Sequence, residues 1–159
     1  MTGDPFTHDP TDSRNVAGDA PGSFEQAKDA LENNNDVGGL GFVVTRHDPF
    51  LVLEIMNGRV GEDLAPSVES ILSTFGATFT ENGDEGLLRL FYRGELPGEL
   101  HGADPVVVTV GGEERNHVFR FFDTGWTPVT GEHIKGTPRD TEPIDDDALR
   151  RFLSKAGEI

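Results

Sequence analysis

The chain has 159 residues, enough for one domain with a buried core, and it carries a net charge of −16. It contains no cysteine, which excludes disulfides and thiolate metal sites, so any metal would depend on carboxylates and histidine. No apolar run is long enough to cross a bilayer and the first residues lack a signal-peptide pattern, which predicts a cytoplasmic protein without a membrane partner.

The acidic composition has two interpretations. A net charge of −16 argues against nucleic acid as a partner, since phosphate binding needs a basic patch. Lysine, however, occurs only at Lys28, Lys135 and Lys155, while Asp and Glu are spread along the whole chain. An acidic, lysine-poor surface is typical of proteins from salt-loving organisms, in which carboxylates maintain solubility. On this halophilic interpretation the charge reflects the solvent and leaves the ligand open.

The N-terminal segment differs in composition from the rest. Residues 1–22 are rich in Asp, Pro and Gly and lack apolar periodicity, which predicts an acidic arm or loop ahead of a domain that spans 23–159. Ser23 and Gln26 form a capping-box pattern, so a short helix is expected to begin there.

Strand and helix signals then alternate. The strand candidates are 39–45, 50–56, 77–80, 87–93, 105–110, 117–122 and 127–130. After the second of them, Pro66 and an apolar stripe predict a helix over 65–75. A last helix is expected to begin at 145–147, where acidic residues suit the helix dipole. Together these elements predict an α+β (α/β) fold with a single mixed, mainly antiparallel sheet flanked by about three helices.

Glu54 is the one charged residue in the apolar segment 50–56. Because side chains alternate along a strand, Val52, Glu54 and Met56 are expected on one face. If both faces of the sheet are covered, Glu54 is buried and needs a cation or a hydrogen-bond donor. The residues alone leave three interpretations open: a solvated face, an ion pair with a neighbouring arginine, or a functional carboxylate.

Three segments taken together resemble one family. They are GLGFVVTRHDPFLVLEI (39–55), TENGDEGLLRLFYRGELPG (80–98) and VFRFFDTGWTPVTGEHIKGTP (118–138). In this order they are similar to the catalytic domain of the phage- and plasmid-type primase–polymerases, a branch of the archaeo-eukaryotic primase superfamily often found in haloarchaea and their mobile elements. The resemblance covers about residues 23–140 and implies a primase–polymerase-like fold.

The resemblance also implies a damaged metal site. In the family, two aspartates two residues apart hold the divalent metals. Glu54 matches the first of them and Met56 the second, and a thioether is a poor ligand for Mg²⁺. Asp123 matches the third carboxylate of the family. Glu54 and Asp123 are thus implied as remnant catalytic and metal-binding residues, with Mg²⁺ or Mn²⁺ as the cofactor if activity survives.

A phosphate-binding turn is implied in the same way. Gly83 and Gly86 match turn glycines of the family, and Arg89 stands where the family has a phosphate-contacting histidine. Arginine also binds phosphate well. These three residues are therefore implied as nucleotide- or phosphate-binding residues.

From the resemblance and Met56 we predict a stand-alone primase–polymerase-like domain that has lost catalysis. Its expected role is that of an accessory or regulatory protein, associated with DNA or nucleotide and with replication or viral proteins, in replication of a virus, plasmid or haloarchaeal host. Two alternatives stay open. One is a weakly active metal-dependent primase or polymerase that uses Glu54 and Asp123. The other is a protein-interaction or virion-associated protein without nucleic-acid contact.

Overall fold

The computed structural model describes residues 23–35 and 39–159, so the arm predicted over 1–22 lies outside the described residues. The helices in the described part are α1 (Phe24–Asn33), α2 (Pro66–Phe75) and α3 (Asp146–Ala156). The strands are β1 (Leu40–Val44), β2 (Phe50–Met56), β3 (Arg59–Val60), β4 (Asp63–Leu64), β5 (Phe79–Asn82), β6 (Leu88–Arg93), β7 (Val106–Val110), β8 (His117–Phe122), β9 (Gly125–Val129) and β10 (Glu142–Pro143). None of the helices in these ranges is long and apolar enough to cross a membrane.

Each helix begins at a local signal in the sequence. The predicted capping box is formed at α1, where Ser23 and Gln26 bond reciprocally to each other's backbone. Pro66 occupies the first turn of α2, where its missing N–H costs no hydrogen bond. The carboxylate of Asp145 accepts a hydrogen bond from the backbone of Ala148 at the start of α3.

The central sheet has six strands. β2 lies in its middle between β6 and β8, and β7 lies outside β8. β5 and β10 both pair with β6, at different residues along its other edge. Every pairing is antiparallel except that of β10 with β6. The predicted α+β fold with a mixed, mainly antiparallel sheet is therefore confirmed.

A separate two-stranded ribbon covers part of this sheet. Although β1 directly precedes β2 in the chain, it pairs with β9 over its whole length and not with β2. A second small hairpin is formed by β3 and β4. Two small sheets, β1 with β9 and β3 with β4, therefore accompany the expected single sheet. The sequence did not predict the pairing of β1 with β9, because the partner of a strand can lie far away in the chain.

The central sheet buries a core on each face. Leu51, Leu53 and Ile55 of β2 face the helices and pack with buried residues of α2 and α3. Val52 faces the other way and packs under the ribbon, in a smaller cluster with Phe91 and Phe122. The alternation predicted for β2 is confirmed, and it places Glu54 on the ribbon side.

Candidate functional site: a buried row of charges

Four charged residues lie side by side across four neighbouring strands. In the strand register, Glu81 of β5 is opposite Arg89 of β6, and Arg89 is opposite Glu54 of β2. Glu54 is in turn opposite Arg120 of β8. Residues opposite each other on one face of a sheet are close enough to interact directly. We call these four residues the charge row.

The charge row is connected by short ion pairs. Nε of Arg89 lies 3.1 Å from Oε1 of Glu54, and Nη1 of Arg89 lies 2.9 Å from Oε1 of Glu81. Nη1 of Arg120 lies 2.7 Å from Oε2 of Glu54. The hydroxyl of Thr127, on the ribbon strand β9, donates to Oε1 of Glu54 over 2.9 Å. Both oxygens of Glu54 are therefore bonded to donors.

Glu81 connects the row to the segment that follows β9. Its side chain is fully buried, with 0% exposure, and its carboxylate accepts hydrogen bonds from the backbone N–H groups of Thr130 and Gly131. His133 forms a β-bridge with Glu81. The carboxylate of Glu81, which no sequence pattern singled out, thus attaches the end of the third segment of the resemblance, VTGEHIKGTP, to the sheet. Alternation along β5 was the available signal, because it places Glu81 on the same face as Phe79.

Most of the charge row is buried in the protein interior. Glu54, Glu81 and Arg89 are buried, whereas the side chain of Arg120 at the end of the row is 42% exposed. Two cations and two carboxylates balance one another, which offsets the cost of removing each charge from water. The burial of Glu54 excludes a solvated face, and ion pairs with neighbouring arginines are observed, whereas a functional role of this carboxylate stays a prediction.

Met56 lies at the end of β2, outside the row. Its side chain is 50% exposed, and its residue partner on β8 is Val118. The next residue, Asn57, has a φ of 59°, a left-handed conformation that asparagine tolerates better than most residues. Met56 therefore lies on the ribbon face of the sheet but is exposed to solvent, whereas Glu54 is covered by Thr127 of the ribbon.

Asp123 belongs to a different structure, at the end of β8. Its carboxylate accepts backbone hydrogen bonds from Leu96 (2.8 Å) and Gly102 (2.9 Å), and it lies 2.7 Å from Nδ1 of His101. The hydrogen bond to Asp123 raises the pKa of His101 above its ordinary value. Asp123 is buried and holds together the connection between β6 and β7.

Glu54 and Asp123 are not brought together. Asp123 is three residues beyond Arg120, the strand partner of Glu54, which is about 10 Å along an extended chain. Asp123 lies one residue past the end of β8, and its carboxylate bonds to Leu96, His101 and Gly102 in the connection between β6 and β7. Within the described residues no group of three or more His, Cys, Asp or Glu side chains is placed to hold a metal ion. As they stand, these carboxylates do not fit a two-metal site, and their metal-binding role stays a prediction.

The residues expected to bind phosphate lie in one hairpin, formed by β5 and β6. Gly83 and Gly86 lie in the turn between β5 and β6, where the N–H of Gly83 donates to the carbonyl of Leu87 and Gly86 has a positive φ of 79°. Arg89 lies further along β6, and its Nε and Nη1 atoms bond to two carboxylates. Its part in phosphate binding stays a prediction.

Two comparisons with known proteins found no match. No family model matches the sequence, and no curated protein matches it either. The resemblance to primase–polymerases therefore depends on the three segments alone, and any function has to be argued from the geometry described above.

Proposed function

We propose that the protein is a catalytically degenerate primase–polymerase-like domain that serves as an accessory DNA- or nucleotide-associated factor in replication. One observation carries the proposal. Glu54 stands at the position of the family's first metal-binding aspartate, and its carboxylate is bonded to Arg89 and Arg120. A carboxylate whose two oxygens are already bonded to donors is not available to a divalent cation.

Charge repulsion supports the loss of catalysis. A divalent ion placed about 4 Å from one guanidinium is repelled by roughly 8 kcal/mol at an effective dielectric constant near 20, which is twice the value for two unit charges. Two arginines contact Glu54, and the adjacent position on the same face holds Met56, which supplies no charge. The site therefore lacks the negative charge that two-metal phosphoryl transfer requires.

Arg120 supports a remaining role in binding. Its guanidinium lies 4.6 Å from the ring centroid of Phe122, and its side chain is 42% exposed. Exposed Met56 and Val107 lie on the same face of the sheet. A partly exposed cation beside apolar surface is suited to contact a nucleobase and its phosphate.

The first test is binding of single-stranded DNA and of nucleotide, measured by fluorescence anisotropy in molar salt. We expect Arg120→Ala to weaken binding about tenfold, as for loss of one cation–base contact. Arg150→Ala is the matched control, because Arg150 is also about half exposed but lies on α3, on the opposite side of the sheet. No binding by the parent protein would refute the proposal in favour of a protein-interaction role.

The second test addresses catalysis directly. We expect neither the parent nor Met56→Asp to extend a primer with Mg²⁺ or Mn²⁺, because the arginines remain on Glu54 and Asp123 lies elsewhere. Calorimetric titration with Mn²⁺ should likewise detect no gain in affinity in the variant. Metal-dependent extension by the parent would contradict the proposal and support the weak polymerase, and a gain in Met56→Asp would show that the site geometry persists.

A further inference from the structure

The two outer edges of the central sheet differ. On one side, β5 and β10 cover β6, and β5 itself is covered by the segment 132–134. The backbone N–H of Asn82 donates to Glu132, and that of Ile134 donates to Thr80. On the other side, no strand within the described residues pairs with the outer edge of β7.

The five residues of β7, which directly follow Pro105, include none of the side chains that usually protect an edge strand. Such strands are commonly guarded by charged residues, proline or a bulge, because their free backbone groups attract other strands. In a chain that is 26% charged, β7 reads VVVTV, without a charge, proline or glycine. Val106 and Val108 face the helix-side core, whereas Val107 is 53% exposed and Thr109 is exposed.

We propose that β7 pairs antiparallel with β7 of a second copy of this chain, about a two-fold axis at Val108. In this register, Val107 lies opposite the partner's Thr109, and Val106 lies opposite the partner's Val110. β7 is suited to pair with a second copy of itself, because every such pair joins two β-branched residues. These residues favour extended structure and cross-strand packing. A two-fold axis makes the interface self-complementary and closed, so the association ends at a dimer.

The pairing of the two β7 strands would also align rows of side chains on the neighbouring strands. Met56, Val118 and Thr109 form one cross-strand row, and Glu54, Arg120 and Val107 form another on the same face. In the dimer, the first row of one copy continues into the second row of the other, because Thr109 and Val107 are partners. Exposed Val107 thereby gains a cross-strand neighbour, whereas Met56 stays two strands away from the partner copy.

Charge distinguishes a second copy from nucleic acid as the occupant of this edge. The five residues of β7 include no cation to contact phosphate. Two chains of net charge −16 repel each other at low salt, but in molar salt the Debye length falls to about 3 Å and the repulsion is screened. Dimerisation is therefore expected to strengthen with salt, whereas nucleic-acid binding weakens with salt. Pairing of one short strand buries less surface than stable complexes do, so the dimer is weak and dependent on concentration.

Sedimentation equilibrium of the full chain, over a range of concentrations in low and in molar salt, tests the proposal. We expect the fraction of dimer to rise with protein concentration and with salt concentration. Val107→Lys should weaken dimerisation at least about tenfold, because a charge on an edge strand opposes pairing. Val60→Lys is the matched control, since Val60 is 50% exposed on β3 and lies outside the central sheet. A monomer under all conditions, or equal effects of the two substitutions, would overturn the proposal.

Cross-linking tests the register. Because the chain contains no cysteine, single variants Val107→Cys and Thr109→Cys carry one thiol each. Under oxidation, a mixture of the two should form the mixed disulfide in preference to either homodimer, because these two positions are opposite each other. Preferential homodimers would contradict an axis at Val108. The outcome does not depend on the proposed role in replication.

Discussion

Replacing Arg89 with methionine removes the cation that lies between two buried carboxylates. Breaking a buried ion pair costs about 3–5 kcal/mol, because the remaining charge is left without compensation. Since Arg89 contacts both Glu54 and Glu81, we expect the upper end of this range, about 5 kcal/mol. That is a large fraction of the roughly 5–15 kcal/mol that stabilises a typical domain.

Urea unfolding measures this loss, with emission of Trp126, the single tryptophan, as the probe of the ribbon. Arg120→Met is the matched control, because Arg120 also contacts Glu54 but its side chain is 42% exposed. We expect that variant to lose only about 1 kcal/mol, as for an exposed pair. In molar salt the effect of Arg120→Met should shrink while that of Arg89→Met persists, since buried pairs are screened little.

A loss of stability in Arg89→Met no greater than that in Arg120→Met would contradict this prediction. Equal losses would mean that the interior position of Arg89 adds nothing to its contribution. They would also weaken the proposed function, because the same ion pairs are taken there to exclude a metal from Glu54.

Two further predictions concern the loop connections and the ribbon. The hydrogen bond to Asp123 raises the pKa of His101, so its stabilising contribution is complete below the ordinary value of 6.5 and is lost as pH rises through the folded-state pKa. Urea midpoints measured across this pH window should fall for the parent and stay flatter for His101→Gln; parallel profiles would contradict this. A Cβ added at Gly41 would clash with the indole of Trp126, so Gly41→Ala should displace the indole, lower stability by about 1–3 kcal/mol and shift the tryptophan emission. Gly111→Ala, where an added Cβ meets nothing within 4 Å, should leave both unchanged, and an unshifted emission in Gly41→Ala would show that the ribbon accommodates the methyl group.

Local signals in the sequence were sufficient for most elements. The strand pattern at 50–56 matches β2, and the capping box at Ser23 and Pro66 both mark where helices begin. These features depend on residues within a few positions of one another, so period and capping chemistry reveal them. The pairing of β1 with β9 is different, because about 85 residues separate the strands and no local pattern encodes their contact.

The charge row illustrates the same division. The sequence determined that Glu54 is a lone carboxylate in an apolar strand, that burial would require a partner, and that Met56, two positions on, offers no carboxylate. Only the tertiary structure decided the partners, because strand register places Arg89 and Arg120 beside Glu54 from 35 and 66 positions away. It also decided that Asp123 bonds elsewhere, to the connection between β6 and β7. The sequence gives the type of each residue. The electrostatic environment of a buried charge depends on strands that come into contact only when the chain folds.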